Sequence, residues 1–180
     1  EVAAVCVRGT GEVVEEYSTL VNPQRPIPLF ITRLTNITDE MVRDAPLFAQ
    51  IAPRLEQILA GRVFVAHNAA FDSAFLGAEL ARIGAAPLAG PVLCTLRLAR
   101  RLVPELPSRS LAALSDFFGV ENEAHHRAFG DARATVEVLL RLLDRLDERE
   151  IVSWDQLEEL LSRRRPRRRH RATPTSMESA

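Results

Sequence analysis

Two short, almost wholly apolar segments, each followed by a helical pattern, constrain the fold of this 180-residue chain most strongly. They are RVFVA at 62–66 and VLCT at 92–95. Strands of this kind are usually buried on both faces, as in parallel sheets. A helix is predicted after the first of them, from about Ala70 to Ile83. The residues expected on its inner face are Phe71, Phe75, Leu76 and Leu80.

A β-hairpin is predicted at the start of the chain. Residues 1–8 are rich in β-forming side chains, residues 9–11 (Gly-Thr-Gly) break the pattern, and residues 12–21 alternate in part. Hairpin strands followed by the order β-α-β-α predict an α/β protein with a mixed sheet and helices on its faces.

Capping residues fix the ends of several predicted helices. Asn36 tolerates the left-handed backbone that ends a helix over 29–35. Thr38 and Ser110 are suited to begin two further helices. The strongest helical pattern covers 128–147, with Val136, Leu139, Leu140, Leu143 and Leu146 expected on one stripe. Additional helices are expected at 46–60, 96–103, 110–118 and 153–162.

The charge is unevenly distributed along the chain. Residues 151–180 hold seven Arg and four acidic residues, whereas residues 1–150 hold sixteen Arg and twenty acidic residues. We therefore predict a folded domain at 1–150 and a short helix with an Arg-rich disordered tail or linker at 151–180. An acidic body argues against a protein that coats DNA nonspecifically. The longest apolar runs are far too short to span a bilayer, so no membrane partner is expected.

Asp72 lies in the first turn of the helix that follows the strand at 62–66. One interpretation is structural, because an acidic side chain is favoured at a helix N-terminus. The other interpretation is functional. Ligand sites form at strand ends in such sheets, and a carboxylate there is well placed to bind a hard cation.

Asp131 lies at the start of the strongest helix, five residues after His126. On one helix, that spacing would point the two side chains about 140° apart. Both can serve one site only if His126 lies on the preceding loop and Asp131 in the first turn. A histidine suits the role of general base because its unperturbed pKa is about 6.5. The neighbouring His125 is expected to be exposed to solvent.

Several ordered motifs carry a resemblance to a known family. They are HNAAFD at 67–72, HRAFGDARAT at 126–135, and the intervening CTLRLARRL and SLAALSDFFG. Over roughly residues 1–145 the chain resembles the Asp-Glu-Asp-Asp (DEDD) 3′-5′ exonucleases with a catalytic His. That family includes the epsilon proofreading subunit of bacterial DNA polymerase III and ribonuclease T.

The resemblance implies a ribonuclease H-like fold and a site with two divalent cations, Mg²⁺ or Mn²⁺. It assigns metal binding to Asp131 and to Asp72, the latter directly or through water. It assigns acceptance of a proton from the attacking water to His126. Substrate-binding positions implied by the same motifs are His67, Asn68 and Phe71. His67 has the alternative role of shaping the strand exit.

The implied substrate is a DNA 3′ end, single-stranded or frayed, with RNA as an open alternative. The implied functions are proofreading or repair in the bacterial cytoplasm. A DNA polymerase catalytic subunit and a fused nuclease domain are the two implied partners, and the sequence does not choose between them.

One part of the family pattern is missing. The family carries Asp-x-Glu on a first strand that would precede Glu1, and this sequence contains no Asp-x-Glu. We therefore expect an N-terminally truncated chain that lacks the first strand and has little nuclease activity alone. The alternative is a catalytically inactive homologue that binds nucleic acid.

Overall fold

A computed structural model describes residues 1–121 and 127–162 of the chain. Four strands and eight helices lie within these residues. The strands are β1 (Val2–Val7), β2 (Val13–Thr19), β3 (Phe64–Ala66) and β4 (Val92–Cys94). The helices are α1 (Leu29–Thr35), α2 (Asp39–Val42), α3 (Phe48–Leu59), α4 (Ala69–Arg82), α5 (Thr95–Leu102), α6 (Leu111–Phe118), α7 (Ala128–Asp147) and α8 (Trp154–Ser162). The predicted mixed α/β class is confirmed.

The strands form two separate pairs. β1 and β2 form the predicted antiparallel hairpin, in which Val2 lies opposite Thr19. β3 and β4 are parallel, as predicted, and Phe64 lies opposite Val92. Within residues 1–121 and 127–162, no strand joins β1 to β3.

The predicted capping residues occupy their positions. Asn36 ends α1 in the left-handed region, with φ of 57°. The Thr38 hydroxyl accepts a hydrogen bond from the Met41 N–H at the start of α2. The Ser110 hydroxyl accepts one from the Ala113 N–H at the start of α6. Helix α2, which Thr38 begins, is short and has only four residues.

The main core is centred on α7, which packs against β1, α5 and α6. Its fully buried side chains include Leu98, Leu102, Leu114, Val138 and Leu142. The predicted α7 stripe is shifted. Leu139 and Leu146 are buried, but Val136, Leu140 and Leu143 are only half-buried. The reason is that α7 is covered from three directions, so its buried face is centred on the line of Val138 and Leu142. Helix α8 adds Leu157 to this core.

The orientation predicted for α4 was wrong for two aromatic residues. Phe71 and Phe75 are 67% and 60% exposed, whereas Ala69 and Leu80 of the same helix are buried. At about 100° per residue, Phe71 and Phe75 lie on the side of α4 opposite the buried Ala69 and Leu80, so both rings face outward. β3 itself is half-buried rather than fully buried, since it pairs only with β4 in the described part of the chain.

Two further observations concern the membrane and the thiols. Among the described residues, no helix combines the length and hydropathy needed to cross a membrane. Cys6 is buried and Cys94 is half-buried, and both are free thiols.

Candidate active site

The carboxyl ends of the parallel strands β3 and β4 form the centre of the candidate site. His67 follows β3 directly, and Thr95 follows β4. The Nδ1 atom of His67 lies 2.9 Å from the hydroxyl of Thr95, which is fully buried. That hydroxyl also donates to the carbonyl of Ala66 at 3.5 Å. The two strand ends are therefore joined by side chains at the edge where ligands bind in such sheets.

His67 is held in its neutral form. Burial lowers the pKa of its imidazole below the ordinary value of 6.5, and the positive charge of Arg100 acts in the same direction. A hydrogen bond to the backbone of Arg109 and the negative charge of Asp131 oppose this shift without reversing it. Near neutral pH the ring therefore carries no net charge.

Asp131 lies in the first turn of α7 and is half-buried. The backbone N–H of Asp131 donates to the carbonyl of Arg127 at 3.0 Å, so the backbone of Asp131 is part of the helical hydrogen-bond pattern. The negative charge of Asp131 is the smallest of four effects on the pKa of His67, so the carboxylate acts electrostatically on a ring 64 positions away in the sequence.

Asp72 lies in the first turn of α4 and is also half-buried. Burial raises the pKa of its carboxyl group above the usual value, and a hydrogen bond to the backbone lowers it in part. Asn68 precedes this helix in the left-handed region, with φ of 67°, and its side chain makes no capping hydrogen bond. An exposed Asn amide is therefore available to a ligand at the start of α4.

Phe71 presents its ring to solvent beside Asp72 in the sequence. It stacks on Phe75, with ring centroids 6.3 Å apart and an angle of 24° between the planes. The sequence interpretation that favoured packing for Phe71 is wrong. Two exposed aromatic rings near a candidate catalytic carboxylate are suited to contact a planar ligand.

His126 and His125 lie outside the described residues, so the predicted general base is not placed. The first described residue after them is Arg127, which begins α7. Glu1 binds both Arg127 and the backbone N–H of Ala128. Sequence analysis did not identify this role of Glu1. The sequence feature that could have indicated this role is a charged residue directly before an apolar strand.

The available metal ligands are fewer than two cations need. Within residues 1–121 and 127–162, no group of three or more His, Cys, Asp or Glu side chains is arranged to hold a metal ion. Asp72 and Asp131 do provide carboxylate oxygens, the ligands that Mg²⁺ prefers. The residues present therefore fit a hard cation in type but not in number.

Comparison with known proteins decides the family. The sequence pattern of the exonuclease (RNase T) family matches residues 1–139 of the chain. The chain belongs to the exonuclease family. Exonucleases of this family generally use divalent metal ions.

Relatives and a solved structure support this assignment to the exonuclease family. The chain is 39% identical over 164 residues to the PolC-type DNA polymerase III of Caldanaerobacter subterraneus subsp. tengcongensis, covering 91% of this chain and 12% of that protein. It is 44% identical over 163 residues to a putative bifunctional exonuclease/endonuclease protein of Mycobacterium tuberculosis, covering 89% and 25%. The chain therefore spans a quarter or less of each of these relatives.

The structural similarity is to Exonuclease X, solved in complex with 5′ overhanging duplex DNA. The TM-score is 0.67 at 29% sequence identity, and the match covers 88% of each chain. This similarity confirms the exonuclease fold, which is ribonuclease H-like, for this member of the exonuclease family.

Proposed function

We propose that this chain is the catalytic domain of a 3′-5′ exonuclease that removes nucleotides from DNA 3′ ends in proofreading or repair in the bacterial cytoplasm. The observation that carries the proposal is the edge at which β3 and β4 end, where His67 contacts Thr95 and the negative charge of Asp131 acts on the His67 ring. Asp72 lies in the first turn of α4, the helix that begins at the same edge. The DNA bound to the related Exonuclease X supports DNA as the substrate.

Asp72 and Asp131 would hold the divalent cations, Mg²⁺ or Mn²⁺, two in number by analogy with the family resemblance. Such a pair of cations stabilises the attacking and leaving oxygens when a phosphodiester is hydrolysed. Two carboxylates do not complete a site of this kind. Further acidic ligands are therefore needed for full activity.

The remaining residues have roles that follow from their chemistry. His126 would accept the proton of the attacking water, for which an imidazole near its ordinary pKa is suited. The exposed amide of Asn68 would hydrogen-bond the terminal nucleotide. Phe71 would contact its base, because exposed aromatic rings stack on bases of any sequence. His67, neutral and hydrogen-bonded to Thr95, would fix the position of the chain where it leaves β3.

The direct test uses a single-stranded oligodeoxynucleotide labelled at its 5′ end. In Mg²⁺ or Mn²⁺ a version of the chain extended before Glu1 by a strand carrying Asp-x-Glu should shorten it stepwise from the 3′ end. Asp72→Asn, Asp131→Asn and His126→Ala should each reduce the rate by about 10²-fold or more. Asp144→Asn, an exposed acid on the same helix as Asp131, is the matched control and should act as wild type. Full activity in all three variants would contradict the proposed site.

The limited number of carboxylates leads to a second proposal, that the 180-residue chain alone has little activity. β1 and β3 do not pair with each other in the described residues, so a strand carrying Asp-x-Glu would have free strand edges to join. We expect a version extended before Glu1 by such a strand to be much more active. Equal activity of the two versions would refute the missing-ligand argument. DNA binding without hydrolysis in both would favour the inactive homologue.

The relatives suggest two contexts for the domain. One is a PolC-type DNA polymerase III and the other a putative bifunctional exonuclease/endonuclease protein. We propose that the exonuclease domain works beside a polymerase or beside a second nuclease. Addition of purified PolC polymerase core should raise the rate on a mismatched 3′ end if the first context applies. No change in that rate would favour the second context.

A further inference from the structure

The imidazole of His67 lies where three segments of the chain meet. His67 follows β3, Thr95 is the first residue of α5, and Arg109 directly precedes Ser110, the residue that caps α6. Nδ1 of the ring lies 2.9 Å from the hydroxyl of Thr95. The ring also forms a hydrogen bond with the backbone of Arg109. One side chain therefore joins the end of β3 to the starts of two helices.

The direction of each hydrogen bond follows from the chemistry of the partners. The bond to Arg109 raises the pKa of His67, so it favours the protonated ring. A ring N–H must therefore donate to the carbonyl of Arg109, and Nε2 is the nitrogen that the contact with Thr95 leaves for this bond. Nδ1 then carries a lone pair and accepts from the Thr95 hydroxyl. The other acceptor of that hydroxyl, the carbonyl of Ala66, is farther away at 3.5 Å.

Both partners of His67 are anchored to the protein interior. Thr95 is fully buried, so its hydroxyl reaches neither solvent nor a ligand. The guanidinium of Arg109 donates to the carbonyls of Val103 at 3.2 Å and Pro104 at 2.9 Å. Val103 is fully buried as well. The two hydrogen bonds of the ring therefore run to groups whose positions are fixed by other contacts.

The position of His67 matters because the two candidate metal-binding carboxylates belong to different helices. Asp72 lies in the first turn of α4, which packs against β3 and β4. Asp131 lies in the first turn of α7, which packs against α5 and α6. Asn68 directly follows His67 and precedes α4 in the left-handed region. The hydrogen bonds of His67 thus connect the segment that leads into α4 with the two helices that pack on α7.

We infer that Thr95 is a positioning residue of the exonuclease site: through Nδ1 of His67 it fixes the Nε2–H tautomer of the ring and the place of Asn68 before α4. The inference rests on the proposed function for the role of Asn68. It assigns His67 to the support of the site rather than to contact with the substrate, because both ring nitrogens are already hydrogen-bonded.

The first measurement is nitrogen NMR of the ¹⁵N-labelled full chain at neutral pH. The chain has four histidines, and the imidazole signals that disappear in His67→Gln identify those of His67. The wild type should show a neutral ring protonated at Nε2. The Nδ1 resonance should shift in Thr95→Val, which has no hydroxyl to donate, and stay in place in Thr95→Ser. A wild-type ring protonated at Nδ1 would overturn the inference.

The second measurement is the fluorescence anisotropy of a fluorescein-labelled, single-stranded oligodeoxynucleotide in EDTA. Thr95→Val should weaken binding about three- to tenfold, the effect of one net hydrogen bond on an equilibrium, because Asn68 is then displaced. Thr95→Ser should bind as tightly as the wild type. Since Thr95 is fully buried, a loss of affinity in Thr95→Val cannot come from a lost contact with the oligonucleotide.

Thr38→Ala is the matched control for lost stability. The Thr38 hydroxyl caps α2, so its removal lowers the unfolding temperature without touching the hydrogen bonds of His67. This variant should keep the affinity and the Nδ1 resonance of the wild type. Circular dichroism at the temperature of the binding measurement should show that every variant is folded.

Three results of the binding measurement would overturn the inference. The first is wild-type affinity in Thr95→Val, and the second is a loss in Thr95→Ser as large as that in Thr95→Val. The third is an equal loss in Thr38→Ala, which would reduce the effect of Thr95 to stability. Failure of the proposed function is distinguishable. The wild type would then neither bind nor hydrolyse the oligonucleotide, while the NMR measurement would still test the tautomer of His67.

Discussion

Glu1 and Arg127, which lie 126 positions apart in the sequence, form a bidentate ion pair. The Nη2 and Nε atoms of Arg127 donate to the two carboxylate oxygens of Glu1 at 2.8 and 3.0 Å. The Ala128 N–H donates to the same carboxylate at 2.8 Å. Only 9% of the Glu1 side chain is exposed. The start of β1 is thereby fixed to the start of α7, three residues before Asp131.

The first prediction is that Glu1→Gln lowers the free energy of unfolding by about 1–3 kcal/mol, because charged hydrogen bonds to Arg127 and Ala128 are lost or weakened. Chemical denaturation at neutral pH measures this change. Glu12→Gln is the control, since Glu12 pairs with Arg8 on an exposed surface. Such pairs contribute about 0–1 kcal/mol. A similar loss in both variants would contradict the role assigned to Glu1.

The second prediction concerns the pH dependence of that difference. The hydrogen bond from Arg127 is the main reason that the pKa of Glu1 lies below its ordinary value of 4.5 in the folded chain. The stability from ionised Glu1 is therefore present above pH 4.5 and is lost as the pH falls through the lower folded-state pKa. Denaturation of wild type and Glu1→Gln across the acid range should show the two curves converging. A gap that stays constant to low pH would exclude this linkage.

The third prediction concerns the buried hydroxyl of Thr95. Thr95→Val preserves the shape of the side chain but leaves Nδ1 of His67 without this partner, at a cost of about 1–3 kcal/mol. Thr95→Ser keeps the hydroxyl and loses one methyl group, which costs about 0.8 kcal/mol. Thermal and chemical denaturation of the two variants provide the comparison. If Ser is as harmful as Val, the hydrogen bond does not stabilise the site.

The fourth prediction separates function from stability at Asp72. Burial raises the pKa of this carboxyl group above its usual value, so the ionised form is less stable in the folded chain than in the unfolded chain. Asp72→Asn removes that charge. In EDTA the variant should unfold at the temperature of the wild type or slightly above it.

Divalent cations provide the second half of this test. Mn²⁺ should raise the unfolding temperature of the wild type, since a cation that binds the folded state stabilises it. The increase should be smaller in Asp72→Asn and unchanged in the exposed control Asp144→Asn. A lower unfolding temperature of Asp72→Asn in EDTA would instead support the structural interpretation, in which Asp72 stabilises the helix start.

Local features of the fold were predictable from the sequence. Asn36 ends α1, and Thr38 and Ser110 begin α2 and α6, because capping depends on side chains only a few residues from the backbone groups that they satisfy. The first-turn positions of Asp72 and Asp131 followed for the same reason.

Packing across long sequence separations was not predictable in the same way. The outward orientation of Phe71 and Phe75 depends on which face of α4 packs inward, and the burial of Val138 and Leu142 depends on the three elements that surround α7. Apolar periodicity identifies a helix but does not select between stripes that differ by one or two positions.

The sequence by itself determined the order of strands and helices, their caps, and the residue types available for metal and nucleic acid. Only the tertiary structure decided that His67 contacts Thr95 and that Glu1 binds Arg127. The physical reason is that caps and helical patterns arise from neighbouring residues. Contacts between distant residues exist only after the elements have packed and their chain entropy has been lost.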